Sequence, residues 1–147
     1  MEFLGLPTID VLDAEKEKYR KGLSTFNRTF FYFIIAERES NKVIGWCGYH
    51  TWYIQHNRAE LGYGLFSDDY KQQGIMTEAL KTILDYGFNI LGLHRVEAMT
   101  ALYNTASNKT LAKFGFVQEG VLREHYLVDG VMEDSLIFSL LKHEYGF

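Results

Sequence analysis

The residues whose types and spacing point most directly to chemistry lie in one short segment, Lys71-Gln72-Gln73-Gly74-Ile75-Met76-Thr77-Glu78-Ala79. It sits between an alternating apolar stretch and a run of helical periodicity. A helix beginning near Ile75 presents unpaired backbone N–H groups and the positive end of its dipole at that point. Such an end can hold a phosphate or pyrophosphate. Gly74 would let the backbone approach an anion closely, and Lys71 would add a positive charge. The spacing is neither a Walker loop nor a dinucleotide fingerprint, since the further glycines and the Gly-Lys-Ser/Thr ending are absent. A single glycine in a strand-to-helix turn is also common where nothing binds, so the loop carries weight only together with other features.

Other candidate groups are sparser. Asn104, Thr105 and Ser107 are of the types that cap a helix start. His50, His56, His94, His125 and His143 show no metal-ligand spacing and read as structural or surface residues. The single cysteine, Cys47, excludes an internal disulfide framework and a Cys-rich zinc site, and is expected to be buried beside Trp46. The formal net charge of −4 and a pI near 5.7 argue against a general nucleic-acid binder. No stretch reaches the roughly 20 apolar residues of a membrane helix, the longest run being Phe30 to Ala36. Met1-Glu2-Phe3-Leu4 lacks the basic start of a secretory signal. A cytoplasmic protein with no membrane and no nucleic-acid partner is the expectation.

The elements that must position these groups follow from periodicity. At 147 residues, with 47% hydrophobic and 23% charged residues, the chain suits one packed domain over 1–147. Asp10 to Arg20 is dense in charge and reads as an exposed helix. Phe30 to Ala36 is β-branched and aromatic, long enough for one buried strand. Val43 to Ile54 returns as a hairpin partner, with Gly45 and Gly48 marking a bulge or a close backbone approach. Arg58 to Phe66 is a third strand, with Leu61, Tyr63 and Leu65 on one face and Glu60, Gly62 and Gly64 on the other. The spacing then predicts a helix from about Ile75 to Leu91, a strand over His94 to Leu102 and a helix from Asn104 to Phe114. Gly115 is placed to end that helix. Two last strands, Val117 to Leu127 and Val131 to Leu141, flank the hairpin signal Asp129-Gly130. The fold class is α/β (α+β): a mixed, mostly antiparallel sheet flanked by helices.

Taken together, the motifs resemble those of the GNAT acetyltransferase superfamily, and most closely its RimJ/RimL-like branch of ribosomal-protein N-terminal acetyltransferases. The family's pyrophosphate loop, R/Q-x-x-G-x-G/A, reads here as Lys71-x-x-Gly74-x-Met76. Thr77-Glu78-Ala79-Leu80 and Leu93-His94-Arg95-Val96-Glu97-Ala98 are typical of the branch. So are Asn104-x-x-Ser107-x-x-x-Leu111-x-Lys113-x-Gly115-Phe116 and Glu119-Gly120-Val121-Leu122-Arg123-Glu124. The resemblance runs from about Phe30 to Tyr145. Three positions depart from the pattern. Lys71 replaces Arg or Gln, Met76 replaces a small residue, and Leu111 stands where many members carry a tyrosine acting as general acid.

The resemblance implies direct acetyl transfer from acetyl-CoA to a primary amine, with no metal. The acceptor it suggests is a protein N-terminus of the ribosomal type, or else a polyamine, amino acid or aminoglycoside. It implies a splay between the strands Arg58–Phe66 and Arg95–Leu102. Leu65, Phe66 and Ser67 would line the ligand, and Lys71, Gln72, Gln73, Gly74, Ile75, Met76 and Thr77 would cradle the pyrophosphate. Asn104 would meet the pantetheine arm unless it is a plain cap. Ser107 would protonate the leaving thiolate unless its hydroxyl only caps the helix. Lys109 and Lys113 would reach the 3′-phosphate of coenzyme A unless they are simply solvated. Glu60 is the candidate base, directly or through a water; the alternative is a carboxylate paired with Arg58 or another cation. Trp46, Trp52 and Tyr53 are expected mostly in the core, with Trp52 and Tyr53 as candidate walls of an acceptor groove. A coenzyme-A-binding sensor without turnover is the reading from another class. The terminal hairpin offers a surface for a homodimer. Residues 1–29 show no convincing opening strand, so the expected domain is short at its N-terminus.

Overall fold

The computed structural model describes residues 29–146. The charged helix expected over Asp10 to Arg20, and the short N-terminal region, lie outside the described residues. The described chain runs β1 (Thr29–Ala36), β2 (Val43–Tyr53), β3 (Arg58–Leu65), α1 (Ile75–Asn89), β4 (Arg95–Ala101), α2 (Thr105–Lys113), β5 (Val117–Val128) and β6 (Val131–Leu141). The strands form one six-stranded sheet in the order β1-β2-β3-β4-β6-β5. All neighbours are antiparallel except β3 and β4, which are parallel. A parallel pair needs a crossover, and α1 supplies it.

Period-two alternation sends Cys47 and Tyr49 of β2, Ala59 and Leu61 of β3, Val96 and Ala98 of β4 and Phe138 and Leu140 of β6 into one buried layer. Leu80, Ile83, Leu84 and Phe88 of α1 and Leu111 of α2 complete it. The layer is dense where α1 crosses β2. The Tyr49 hydroxyl donates to the Ile83 carbonyl at 2.8 Å, and a Cβ on Gly87 would collide with that hydroxyl. Burial pushes the Tyr49 hydroxyl's pKa well up, so it stays a donor.

Several local expectations match the structure. Gly115 takes a left-handed φ of 87° after α2. Asp129 and Gly130 have φ of 49° and 79°, the paired positive values of a tight hairpin. Gly45 and Gly48 mark close approaches rather than bulges, since a Cβ on Gly48 would run into the Phe31 carbonyl. One expectation fails. The apolar run at Phe30 to Ala36 is not a buried strand: β1 lies at the end of the described sheet, and Tyr32, Phe33 and Ile34 are exposed.

The polar face of the sheet carries a charge ladder across four strands. Arg58 donates to Glu97 at 3.2 Å, and Arg95 donates to Glu97 at 2.9 Å. Arg95 also grips Glu119 with two N–H groups, at 2.9 and 2.5 Å, and Ser139 donates to the same carboxylate at 2.7 Å. The paired guanidinium and the Ser139 hydroxyl hold the Glu119 carboxyl down to about 2.

Candidate active site

The parallel strands β3 and β4 pair only from Arg58↔Arg95 to Leu61↔Ala98, and beyond that point they part. Both are followed by helices, so the N-termini of α1 and α2 stand at the same open end of the gap. Phe66 donates its backbone N–H to Ile44 on β2 at 2.9 Å. Every second N–H of an antiparallel strand points the same way. The N–H groups of Tyr63 and Leu65 therefore point away from β2, toward the side that β4 has left. Of the three residues expected to line the ligand, Leu65 aims its amide into the gap, whereas the Phe66 amide is already committed. The Ser67 hydroxyl accepts the Asp69 N–H at 3.2 Å as a local cap.

A cavity of about 220 Å³ lies in this gap and reaches both faces of the sheet. On the helix face it is bounded by Tyr63, Thr100, Asn104 and Ser107. On the opposite face it is bounded by Trp46, His50, Glu60 and Tyr126. The sequence builds each wall locally. Asn104 is the residue before α2 and its side chain accepts the Ser107 N–H at 3.3 Å, so it is the helix cap and a cavity wall at once. Ser107 is not a capping hydroxyl. Its Oγ lies 2.8 Å from the hydroxyl of Tyr63, across the gap. Gly62 and Gly64 leave room for the Trp46 indole, whose nearest atoms would meet a Cβ at either position at 2.8 and 3.0 Å.

His50 enters through a fault in the register. Tyr49 pairs with Leu61 but Thr51 pairs with Glu60, so His50 is an extra residue in β2. Bulges of this kind re-aim a side chain. The His50 Nε2 lies 3.0 Å from Glu60 Oε1, and the two side chains are 33% and 19% exposed. That buried nitrogen is close to the carboxylate but off the line of a hydrogen bond. Glu60 is thus not held by Arg58, which is taken by Glu97 and stacks 4.0 Å over the Tyr53 ring. Neither Trp52 nor Tyr53 is among the described residues that line this cavity. Trp52 packs against the core, and the tryptophan that does line the cavity is Trp46.

The anion loop has a definite shape. Ser67 caps a 3₁₀ turn over Asp68–Tyr70, and Lys71 follows, its Nζ 2.5 Å from Asp68. Lys71 is therefore an exposed ion-pair partner of Asp68. Gln72 and Gly74 both have left-handed φ, 60° and 75°. Gln73 donates to the Asp69 carbonyl at 2.6 Å, folding the loop on itself. Gly74 precedes α1 without a capping side chain, and the first helical bond runs from Glu78 N–H to the Gly74 carbonyl at 3.0 Å. The N–H groups of Ile75, Met76 and Thr77 thus precede the helix's own ladder. A Cβ at Gly74 would meet nothing within 4 Å. The space over this helix end is open, as an anion would require. Lys109 and Lys113 stand exposed on α2 and do not line the cavity.

A larger groove, about 670 Å³, runs between β1 and α1 along Phe33, Ile35, Ile83 and Tyr86. It is chiefly apolar, with Glu37, Glu39 and Glu78 among its polar lining, and it lies outside the β3–β4 gap. The smaller cavity lies in the gap itself, where both helix starts and the inward-pointing amides converge, and we take it as the site on that ground. Among the described residues no group of three or more His, Cys, Asp or Glu side chains is arranged to hold a metal ion, and no helix is long and apolar enough to cross a membrane.

A six-stranded mixed sheet opened between two parallel strands, with helix N-termini at the opening, is an acetyltransferase architecture, and the chain belongs to the acetyltransferase (GNAT) domain family, whose profile matches residues 1–117. Its relatives include uncharacterised N-acetyltransferases as well as ribosomal-protein and spermidine acetyltransferases. The chain is 40% identical over 114 residues to the uncharacterised N-acetyltransferase p20 of Bacillus licheniformis, covering 78% of this chain and 64% of p20. It is 29% identical over 90 residues to the spermidine N(1)-acetyltransferase of Escherichia coli K12, covering 61% of this chain and 48% of that enzyme. Among solved structures, the ribosomal-protein-S5-alanine acetyltransferase of Vibrio fischeri superposes with a TM-score of 0.72 at 26% identity, covering 95% of this chain and 70% of the other. The chain thus spans less than two thirds of the length of both of these curated relatives.

Sequence reasoning missed His50, Trp46, Tyr63 and Tyr126. The Gly62-x-Gly64 spacing was a readable signal for a large ring lying on that face of β3. The bulge that turns His50 had no such signal.

Proposed function

We propose that this chain is an N-acetyltransferase that moves the acetyl group of acetyl-CoA directly to a primary amine. The observation that carries this reading is the gap between β3 and β4, where a carboxylate and a hydroxyl occupy opposite walls and two backbone N–H groups point inward. Glu60 takes a proton from the incoming amine, directly or through a water. The Tyr63 or Leu65 N–H polarises the thioester carbonyl. Ser107 gives a proton to the departing sulfur. The first turn of α1, entered through Gly74, holds the pyrophosphate, and Asn104 meets the pantetheine arm. Lys109 and Lys113 reach toward the 3′-phosphate from α2.

For the acceptor, a protein N-terminus of the ribosomal type is supported by the V. fischeri structure. A small polyamine is supported as well by the E. coli relative, and by a compact cavity on one face of which Glu60 stands with the rings of Trp46 and Tyr126, a lining suited to a cation. The test is a panel of both kinds of acceptor with acetyl-CoA, read by release of free coenzyme A and by mass of the acceptor. Transfer to peptides beginning with Ala supports the first acceptor, and transfer to spermidine the second. Acetyl-CoA binding with no release for any amine would leave a sensor.

A further inference from the structure

The position where many members of the family carry an acidic tyrosine is here Leu111, fully buried in the core. No proton donor can act from that site. The structure offers another phenol. Tyr63 lies on β3 two residues past Leu61, the last residue paired with β4, on the face that looks toward α2. Its hydroxyl sits 2.8 Å from Ser107 Oγ in a partly buried contact that joins the two sides of the gap. Both hydroxyls are at the cavity wall.

From this geometry we infer that Tyr63 is the source of the proton that Ser107 passes to the leaving sulfur, replacing from β3 the acid that α2 lacks. The inference rests on the transferase reading. The step balances without any further reagent. The amine nitrogen forms its bond to the acetyl carbon as the carbon–sulfur bond breaks. The sulfur takes the proton of the Ser107 hydroxyl, and Ser107 Oγ takes the proton of Tyr63. The amine's proton leaves through Glu60 to water, and water reprotonates the Tyr63 phenolate through the open cavity.

A serine alone is poorly matched to a thiolate, because its hydroxyl is a far weaker acid than a thiol. A phenol, whose ordinary pKa is near 10, lies close to a thiol's range. Proton transfer is efficient when donor and acceptor are matched. Burial raises the Tyr63 pKa above its ordinary value, the Ser107 contact opposing that, so the phenol is loaded with its proton at neutral pH. The other titratable groups nearby are Cys47, directly across β2 and itself pushed up to about 12, and Glu60, His50 and Tyr126 around the cavity. Tyr63 acts through Ser107 and is therefore a positioning and proton-supplying residue.

The test compares kcat and KM for Tyr63→Phe, Ser107→Ala and the double variant, using whichever amine the unsubstituted protein acetylates. Tyr63→Phe is expected to lower kcat at least tenfold while KM for acetyl-CoA stays within about twofold, because general-acid contributions run to about 10²–10⁴. The double variant is expected to match Ser107→Ala, since a relay broken once cannot be broken again. A fluorotyrosine at position 63 keeps the side chain's shape while making the phenol more acidic. It should retain turnover and bring the alkaline fall in kcat to lower pH, which a merely structural hydroxyl would not do. Unchanged kcat in Tyr63→Phe, or a pH profile indifferent to fluorination, overturns the relay and leaves the transferase reading standing. No turnover by the unsubstituted protein with any amine overturns both.

Discussion

Glu60 and Ser107 face one another across a gap of two strands, and each has a partner that its sequence neighbours did not disclose. Glu60 is met by His50, and Ser107 by Tyr63. If Glu60 is the base, Glu60→Gln should reduce kcat about 100-fold while leaving the Kd for acetyl-CoA within a factor of two. Titration calorimetry beside steady-state rates separates those quantities, and a turnover that is unchanged across the pH range would remove Glu60 from the chemistry. Ser107→Ala is expected to lose rate with little loss of melting temperature, because its backbone N–H is still capped by Asn104 and only its hydroxyl contact disappears. A lower melting temperature at full activity would make the contact purely structural.

At the scale of the elements, the proposed site rests on the two helix starts and the gap between β3 and β4. Gly74 and Gly92 are both left-handed, with φ of 75° and 69°, and a Cβ at either would meet nothing within 4 Å. Alanine at each should therefore cost about 1 kcal/mol through backbone strain alone. Only Gly74→Ala should also weaken acetyl-CoA binding, because only that methyl would enter the space over the N-terminus of α1. Urea unfolding gives the first quantity and equilibrium binding the second. An equal loss of affinity in Gly92→Ala would take the ligand away from this loop.

The helices α1 and α2, the hairpin at Asp129-Gly130 and the left-handed Gly115 were legible in the sequence because each depends on residues a few positions apart. The exposure of β1 was not, since a run of apolar residues looks the same in a central strand and at a sheet's end. The bulge at His50 was not either. It exists because Tyr49 and Trp52, three residues apart, both face the helices, and that demand arises only once α1 is in place. Glu60 and Ser107 could be singled out by position along the chain, but Tyr63 meets Ser107 only through the crossover that brings β3 beside α2.

For the molecule as a whole, the ladder Arg58–Glu97–Arg95–Glu119 ties together strands that are far apart in sequence. Glu119 is held down to about 2, from an ordinary 4.5. A depressed carboxyl contributes stability above its unfolded pKa and loses it as the pH falls toward the folded value. The Glu119 contribution is therefore whole above about pH 4.5 and fades toward pH 2. It is modest, because the side chain is 41% exposed and solvent screens it. The unfolding midpoints of the unsubstituted protein and Glu119→Gln should differ at pH 7 and converge by pH 2; a constant difference would assign the effect to packing.

Transfer itself tests the proposed function most directly. The full chain is incubated with acetyl-CoA carrying a labelled acetyl group and, in turn, an Ala-initiated peptide and spermidine. Thiol release and acceptor mass are followed together. One coenzyme A is expected for each acetyl group gained by an amine nitrogen, with both signals falling in step in Glu60→Gln. Acetyl-CoA bound at the mouth of the β3–β4 gap, with no thiol released for any amine, would contradict it.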